Sequence, residues 1–224
     1  MRPRRFHRLR SVLSRRQPDL TVLMEKVNKP HNFSAILRNC DAVGVLEAHV
    51  VPPRHGLDLH HGTSAGTKKW IQVHTHETVE DGVAHLKERG FTVVAAHPSD
   101  DAMDYRAVDY TRPIALMMGA ELYGVSDEGL ALADAHVVVP MVGMVHSLNV
   151  SVATALLLFE AFRQRDAEGL YDEPRLEPGR FRRTLFEWAY PTLARTHRDE
   201  GRDYPVLDDD GQIVPPAGDP STSE

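Results

Sequence analysis

The feature of this sequence that most constrains its fold is the regular alternation of short apolar runs with longer amphipathic segments. The apolar runs are rich in β-branched residues and predict strands at 20–24, 48–51, 70–74, 91–96, 113–118 and 137–139. The intervening segments carry apolar residues at helical spacing and predict helices at 4–16, 31–43, 77–89, 126–133 and 147–165. Strands that are apolar throughout and alternate with helices are typical of a parallel sheet. The sequence therefore predicts an α/β fold with a mainly parallel sheet and helices on both faces.

Two helix ends carry clear signals. Gly44 follows the second predicted helix, where a residue without a Cβ suits a left-handed cap. Ser126 precedes another helix as a candidate N-cap, and Asp127 and Glu128 place negative charge in its first turn.

The length of 224 residues is enough for one sizeable core with additions at both ends. We predict a basic N-terminal helical extension at 1–18 and a core domain at 19–165. A C-terminal helical extension follows at 166–205. The acidic segment 206–224, which contains Pro and Gly, is expected to be a flexible tail.

The composition also argues against several settings. No apolar run reaches the roughly 18 residues of a membrane span, and no signal-peptide pattern follows the basic N-terminus. Cys40 is the single cysteine, so we expect no internal disulfide and no Cys-based zinc site. The expectation is a cytoplasmic protein with no membrane and no metal.

The net charge of −6 hides a strong asymmetry. Residues 1–18 contain seven Arg and no acid, residues 161–202 contain nine more Arg among eight acids, and the last 22 residues contain six acids and no Lys or Arg. Arginine grips phosphate bidentately, so an Arg-only cluster favours RNA or DNA as a partner. A solvated helix with excess positive charge is the competing interpretation.

Several familiar motifs are absent or incomplete. The stretch from Gly62 to Lys69 has the wrong spacing for a phosphate loop, and no GxGxxG or GxSxG follows a strand. The 13 histidines, including His60, His61, His74 and His76, form no metal-binding motif, and we interpret them as exposed loop residues.

Three stretches carry more information. In Pro30–Gly44, Asn32 opens a helix and Arg38 lies among apolar residues, where a charge is costly unless it meets an anion or a carboxylate. An ion pair with Asp41 is the alternative partner. In Met118–Ser126, Glu121 and two glycines follow a strand, at the edge of the sheet where ligands bind in open α/β folds.

The third stretch, His136–Ala153, predicts a strand, a loop containing Pro140 and a long helix. Ser147 and Asn149 stand at the start of that helix. Side chains at this position either cap the helix or face a ligand, and the sequence leaves both roles open.

In order and spacing, Asn32–Arg38, Gly119–Gly124 and Ser147–Ser151 resemble the three motifs of SPOUT-type RNA 2′-O-ribose methyltransferases. The basic N-terminal helix, residues 16–22 and residues 110–113 look like the TrmH subgroup, which methylates guanosine in tRNA. The resemblance covers residues 1 to 205. Leu122 and His146 depart from it, since Lys and Gln are expected there.

The resemblance implies a SPOUT-type α/β knot, a deep C-terminal trefoil that is an exception to the rule against knots. It also implies a homodimer and a bent S-adenosylmethionine bound in the knot. The implied cofactor residues are Ala96, Gly119, Val139, Met144, Ser147 and Leu148.

By the same resemblance, Arg38 activates the ribose 2′-hydroxyl. A guanidinium is an awkward base, so we interpret Arg38 as a group that binds phosphate and stabilises the developing alkoxide. Asn32 would orient Arg38 or the ribose, Glu121 and Asn149 would hold the shape of the site, and Ser147 would line its cofactor end. The expected RNA-binding residues are Arg4, Arg5, Arg8, Arg15, Arg16, His31, Arg163 and Arg165. For Arg163 and Arg165 a simple interaction with the helix C-terminus is an alternative.

The implied function is transfer of a methyl group from S-adenosylmethionine to the 2′-oxygen of guanosine 18 in the D-loop of tRNA. The alternatives are a non-catalytic tRNA-binding protein on the same scaffold and a 2′-O-methyltransferase of another RNA, such as ribosomal RNA.

Overall fold

The structure is a computed structural model that describes residues 1–53, 69–99 and 101–215. The strands of this part are β1 (Leu20–Glu25), β2 (Glu47–Val51), β3 (Gln72–Thr75), β4 (Thr92–Ala96), β5 (Met103–Asp104), β6 (Ile114–Met118) and β7 (Ala135–Val138). Its helices are α1 (Pro3–Ser14), α2 (Pro30–Ala42), α3 (Val79–Glu88), α4 (Asp127–Leu132), α5 (Val150–Ala167), α6 (Pro178–Ala189) and α7 (Pro191–Asp199).

The strands form one sheet in the order β3-β2-β1-β6-β4-β7-β5, and every pairing is parallel. Apolar side chains of β1 alternate between two core clusters, one shared with α2 and α5 and the other with α3. The predicted α/β fold, with a parallel sheet and helices on both faces, is therefore confirmed. The knot that the resemblance implies stays a prediction.

The predicted helix ends are confirmed where a local signal fixes them. Ser126 Oγ accepts a hydrogen bond from the Gly129 N–H, as an N-cap does, and Gly44 has φ of +85° after α2. α5 begins three residues later than predicted, because Asn149 caps it from outside the helix. β5 has only two residues and is too short for any sequence pattern to predict.

The chain divides into two compact units. One is Gln17–Tyr171 and contains the whole sheet with α2 to α5. The other combines Met1–Arg16 with the chain from residue 172 onward, and contains α1, α6 and α7. The predicted four-segment division stays a prediction.

The smaller unit has its own apolar interior. The buried face of α1 carries Phe6, Leu9 and Leu13, and the buried aromatic residues of α6 are Phe186 and Trp188. The Phe186 ring stacks on that of Tyr204 with a centroid distance of 4.7 Å. This packing fixes the position of α1 within the smaller unit and leaves the side of the helix opposite Phe6 exposed to solvent.

Parts of the earlier predictions fall outside the described residues, namely the stretch Gly62 to Lys68, the pair His60 and His61, and the end of the tail beyond residue 215. In the part of the chain that is described, no helix is long and apolar enough to cross a membrane.

Candidate active site

The candidate site lies where three neighbouring strands end. β6, β4 and β7 are adjacent and parallel, so the loops that follow them emerge at the same edge of the sheet. These loops and the start of α5 line an open cavity of about 280 Å³. Two of the three predicted motif regions, Gly119–Gly124 and Ser147–Ser151, contribute lining residues, and α2 contributes none.

Five of the six predicted cofactor residues line this cavity, namely Ala96, Gly119, Val139, Ser147 and Leu148. The sixth, Met144, lies on the same loop as Ser147, but its side chain is 93% exposed and is not among the lining residues. Most lining side chains are apolar, and Glu121, His97 and His146 add polar groups. A mostly apolar cavity with a few polar groups suits a small organic molecule.

Gly119 shapes the cavity by its lack of a side chain. A Cβ on this residue would lie 1.9 Å from the Gly124 carbonyl carbon and 2.0 Å from the Val125 nitrogen. The two sides of the loop come this close because Ala120 and Gly124 exchange backbone hydrogen bonds of 2.9 and 2.8 Å. Only glycine fits there, and the tight loop directs Glu121 back toward α2.

Asn32, Glu121 and Asn149, one from each predicted motif, form a chain of hydrogen bonds. Asn32 is buried; its Nδ2 donates to Glu121 Oε1 at 2.7 Å, and its Oδ1 accepts from Asn149 Nδ2 at 3.1 Å. A buried amide with both ends satisfied has a fixed orientation. The chain therefore links the start of α2, the loop after β6 and the start of α5.

Glu121 has further partners that explain its ionisation. The backbone N–H groups of Asn28 and Lys29 donate to its carboxylate at 3.3 and 3.2 Å. Burial raises the pKa of Glu121, but the hydrogen bonds from Asn32 and from these N–H groups outweigh it and hold the pKa below its usual range. The charged carboxylate thus works as an acceptor that fixes the approach to α2.

Of the two roles that the sequence left open for Asn149, the structure shows the capping role, together with a contact to Asn32. Its Oδ1 accepts from the Ser151 N–H at 2.9 Å, which caps α5, while its Nδ2 reaches Asn32. A residue that the sequence did not single out, Asn39, adds a second link between the helices, because its Nδ2 donates to the Ser151 carbonyl at 2.9 Å. Nothing in its spacing marks Asn39, since α2 meets α5 only in the folded chain.

Arg38 lies on the exposed side of α2 and does not line the cavity. Within the described residues it forms no ion pair, and the alternative partner Asp41 does not take that role. Its guanidinium is therefore available to an anion from outside the chain.

The predicted RNA-binding cations differ in their surroundings. Those with exposed side chains are Arg4, Arg5, Arg8, Arg15, His31 and Arg163. Arg163 also pairs with Glu160, with 2.7 Å between Nη2 and Oε1. The expectation of an exposed cation fails at Arg16, which is buried with its guanidinium 5.3 Å from the centre of the Trp188 ring.

Arg165 is the second correction, because its side chain is wholly buried. It donates to Asp19 Oδ1 at 2.6 Å, to Gln17 Oε1 at 3.0 Å and to the backbone carbonyls of Tyr110 and Arg112, each at 2.8 Å. A guanidinium saturated in this way fastens residues 17–19 and 110–112 to the end of α5. Arg165 thus has a structural role where RNA contact was expected.

The histidines are the third correction. His49, His74, His76 and His85 are not exposed loop residues, because their rings pack together with centroid distances of 5.0 to 6.3 Å. His49 is fully buried, and its burial, together with the neighbouring imidazoles, lowers its pKa to about 3. Part of this clue is present in the sequence, because His74 in β3 and His76 just after it have the two-residue spacing of one strand face, but the pairing of His74 with His49 depends on the tertiary structure. Over the described residues, no group of side chains has the geometry to hold a metal ion.

Sequence comparison gives the relatives of this chain. Residues 19–159 match the model of the SpoU rRNA Methylase family, and residues 163–216 match the model described as SpoU, rRNA methylase, C-terminal. The tRNA (guanosine(18)-2′-O)-methyltransferase of Escherichia coli (strain K12) is 49% identical over 215 residues, which cover 95% of this chain and 94% of the relative.

Structural comparison agrees. The crystal structure of the A. aeolicus TrmH/SpoU tRNA modifying enzyme is 41% identical with a TM-score of 0.78, and the match covers 85% of this chain and 97% of that one. The SpoU methyltransferase AviRb from Streptomyces viridochromogenes, in complex with the cofactor AdoMet, is 28% identical with a TM-score of 0.59 over 67% of this chain and 60% of that one.

Proposed function

The chain belongs to the SpoU rRNA methylase family, and we propose on that basis that it is a tRNA (guanosine(18)-2′-O)-methyltransferase that uses S-adenosylmethionine. The observation that carries the proposal is the hydrogen-bonded chain of Asn32, Glu121 and Asn149 next to the cavity. A protein that only bound tRNA would have no need for three motifs joined in this way beside a mostly apolar cavity.

The cavity fits S-adenosylmethionine on two counts. Its lining is mostly apolar, as an adenine and a thioether chain require, and Gly119 allows the loop beside it to close tightly where a Cβ would collide with Gly124 and Val125. Ala96, Gly119, Val139, Ser147 and Leu148 would hold the cofactor. When bound, it supplies a methyl group on a sulfonium, which is already activated for transfer.

The protein must then position and activate the ribose 2′-hydroxyl, a poor nucleophile at neutral pH. Arg38 keeps its charge, because a guanidinium has a pKa above about 12. It binds a substrate phosphate and stabilises the negative charge that develops on the 2′-oxygen as the proton of the hydroxyl passes to that phosphate or to water. Asn32 fixes the start of α2 relative to the cavity, and the hydrogen bonds from Asn149 and to Glu121 fix the orientation of Asn32.

We further propose a homodimer. α5 buries one apolar face in the core, yet exposes a second one formed by Val152, Leu156 and Phe159 at i, i+4 and i+7. Apolar loop tips beside the cavity are also exposed, namely Leu122, Tyr123, Val142, Met144 and Val145. Exposed apolar faces of this kind are typical of subunit contacts. Most protein oligomers consist of identical copies, so we propose a second copy of this chain as the partner. Sedimentation equilibrium at twice the monomer mass would support the dimer.

In the smaller unit the tRNA-binding residues would be the exposed Arg4, Arg5 and Arg8 of α1 and Arg15 just after it, and in the larger unit they would be His31 and Arg163. Such contacts neutralise phosphates and so should weaken with salt. A tRNA substrate also points to a cytoplasmic protein.

The experiment that tests the function is methyl transfer from labelled S-adenosylmethionine to an unmodified tRNA transcript, with ribosomal RNA in a parallel reaction. We expect label on tRNA, and after digestion we expect it in 2′-O-methylguanosine. Label on a base, label on ribosomal RNA alone, or no label would contradict the proposal, and the last result would favour the non-catalytic alternative.

A further inference from the structure

The acidic segment near the C-terminus begins with an ordered turn. Asp208 Oδ1 accepts hydrogen bonds from the N–H groups of Asp210 and Gln212 at 2.9 and 2.8 Å. The Asp208 N–H donates to the Gln212 carbonyl at 2.9 Å, and Leu207 bridges to Ile213. Residues 207–213, which we call the acidic turn, therefore have a defined conformation where a flexible tail was expected.

The acidic turn is held against α1. Gly211 has φ of +78°, and a Cβ on it would lie 2.3 Å from the Phe6 ring, so the turn touches the helix without any side chain between them. Tyr190 Oη donates to the Gly211 carbonyl at 2.6 Å, and Gln212 Nε2 donates to the Met1 carbonyl at 2.9 Å. These contacts fix the position of the turn independently of its charges.

Two carboxylates of the turn reach basic side chains of α1. Asp210 Oδ1 lies 3.0 Å from His7 Nε2, and Asp209 Oδ1 lies 3.4 Å from Arg10 Nη1. All four side chains are more than half exposed. Exposed pairs of this kind contribute little to stability. Their main consequence is to place negative charge beside a helix whose other charged side chains are all arginines.

His7 and Arg10 lie on the flank of α1, between its buried face and its outer face. At about 100° per residue, Arg4, Arg8 and Arg15 lie on the outer face, away from Phe6. The acidic turn thus lies beside the flank of α1 that carries His7 and Arg10, and leaves the outer face with Arg4 and Arg8 free of contact with the turn.

From this arrangement we propose that Asp209 and Asp210 compete with RNA phosphates for Arg10 and His7, so that the acidic turn limits how tightly RNA binds to α1. A carboxylate and a phosphate oxygen accept the same kind of hydrogen bond from a guanidinium, so a carboxylate held beside Arg10 competes with a phosphate for its N–H groups. The inference rests on the proposed function, because it requires α1 to bind RNA.

The test compares Asp209→Asn/Asp210→Asn with the unaltered protein in tRNA binding at several salt concentrations. The control is Glu80→Gln/Glu88→Gln, which changes the net charge equally at two exposed positions of α3. We expect the aspartate variant to bind tRNA about fivefold more tightly at low salt, with a salt dependence steeper by about one to two units for up to two added phosphate contacts. The control should change affinity by less than twofold.

A second comparison places the effect at α1. In a His7→Gln/Arg10→Gln background, the same aspartate substitutions should lose most of their effect. An effect no larger than that of the control would overturn the inference, and so would weaker binding, which would mean that the turn only supports the helix.

Failure of the inference can be separated from failure of the proposed RNA surface. If Arg4→Ala/Arg8→Ala/Arg15→Ala weakens tRNA binding and the aspartate variant changes nothing, only the competition is wrong. If the arginine variant also leaves affinity unchanged, α1 is not an RNA surface. Because the substituted side chains are exposed, all of these variants should keep the thermal stability of the unaltered protein, and the single variants Asp209→Asn and Asp210→Asn serve if the double variant does not.

Discussion

The surroundings of Asn32 and the surface of α1 are both polar, yet they are built in opposite ways. Asn32 is buried, and short hydrogen bonds to Glu121 and Asn149 saturate both ends of its amide. On α1, the arginines are exposed, and its two ion pairs with the acidic turn lie in solvent. The hydrogen bonds around Asn32 fix the positions of three side chains, so a substitution there should have a large effect. The exposed charges of α1 together produce an electrostatic potential, to which each charge contributes a modest, salt-dependent amount.

The largest effect on activity should come from Arg38. Its side chain is exposed, unlike that of Asn32, and it has no ion pair among the described residues, unlike His7 and Arg10 of α1. Arg38→Ala should lower methyl transfer by about 100-fold or more, the usual effect of removing a group that stabilises an oxyanion. Cofactor affinity should change by less than about twofold, since Arg38 does not line the cavity. Single-turnover kinetics and calorimetry measure the two quantities, and a fully active variant would refute the assigned role.

The next largest effect tests the rigidity of the buried region. Gly119→Ala puts a Cβ within 2.0 Å of backbone atoms that cannot rotate away, so the loop must move. We expect a loss of about 3 kcal/mol in unfolding free energy and a loss of at least about tenfold in cofactor affinity. The matched control is Gly143→Ala on the neighbouring loop, where nothing lies within 4 Å. If the two variants had the same unfolding free energy and the same cofactor affinity, the loop around Gly119 would not be rigid.

A smaller effect is expected on α1. Arg4→Ala/Arg8→Ala/Arg15→Ala should weaken tRNA binding by about tenfold at low salt and reduce the slope of affinity against salt by about two to three units. Transfer at saturating tRNA should stay close to that of the unaltered protein. A lower rate of transfer at saturating tRNA would contradict this prediction, because α1 would then help to position the bound tRNA as well as to bind it.

The smallest effect, taken per pH unit, concerns the histidine cluster. His49 has a pKa of about 3 in the folded chain, against the ordinary 6.5. Below pH 6.5 the unfolded chain therefore binds a proton that the folded chain does not, and stability should fall by roughly 1 kcal/mol per pH unit as the pH drops toward 3. Denaturant titrations of His49→Gln should show a flatter profile over this range. The exposed His31→Gln should retain the original slope, and an unchanged slope in both would remove His49 as the cause.

Sequence patterns predicted what depends on neighbours along the chain. The strands, the Ser126 cap and the Gly44 turn follow from hydrophobic spacing and from residue types at helix ends. Resemblance to a family then identified Asn32, Glu121 and Asn149, whose contacts span 89 to 117 residues. No local rule could have joined them.

What the sequence did not predict depends on which surfaces meet. Arg16 and Arg165 look like their exposed neighbours, but one packs on an aromatic ring and the other meets five oxygen atoms. The acidic turn has the composition of a flexible tail, and its contact with Phe6 and its hydrogen bonds to Tyr190 and Met1 give it a fixed position. In each case a long-range contact outweighs the local preference.

The central claim is that the buried network and its cavity serve transfer to one ribose oxygen. The direct measurement uses two synthetic tRNAs that differ only at guanosine 18, one with ribose and one with 2′-deoxyribose at that nucleotide. Both should bind with similar affinity, but only the first should accept the methyl group from S-adenosylmethionine. Equal transfer to both would contradict the account, because the methyl group would then be reaching a different atom.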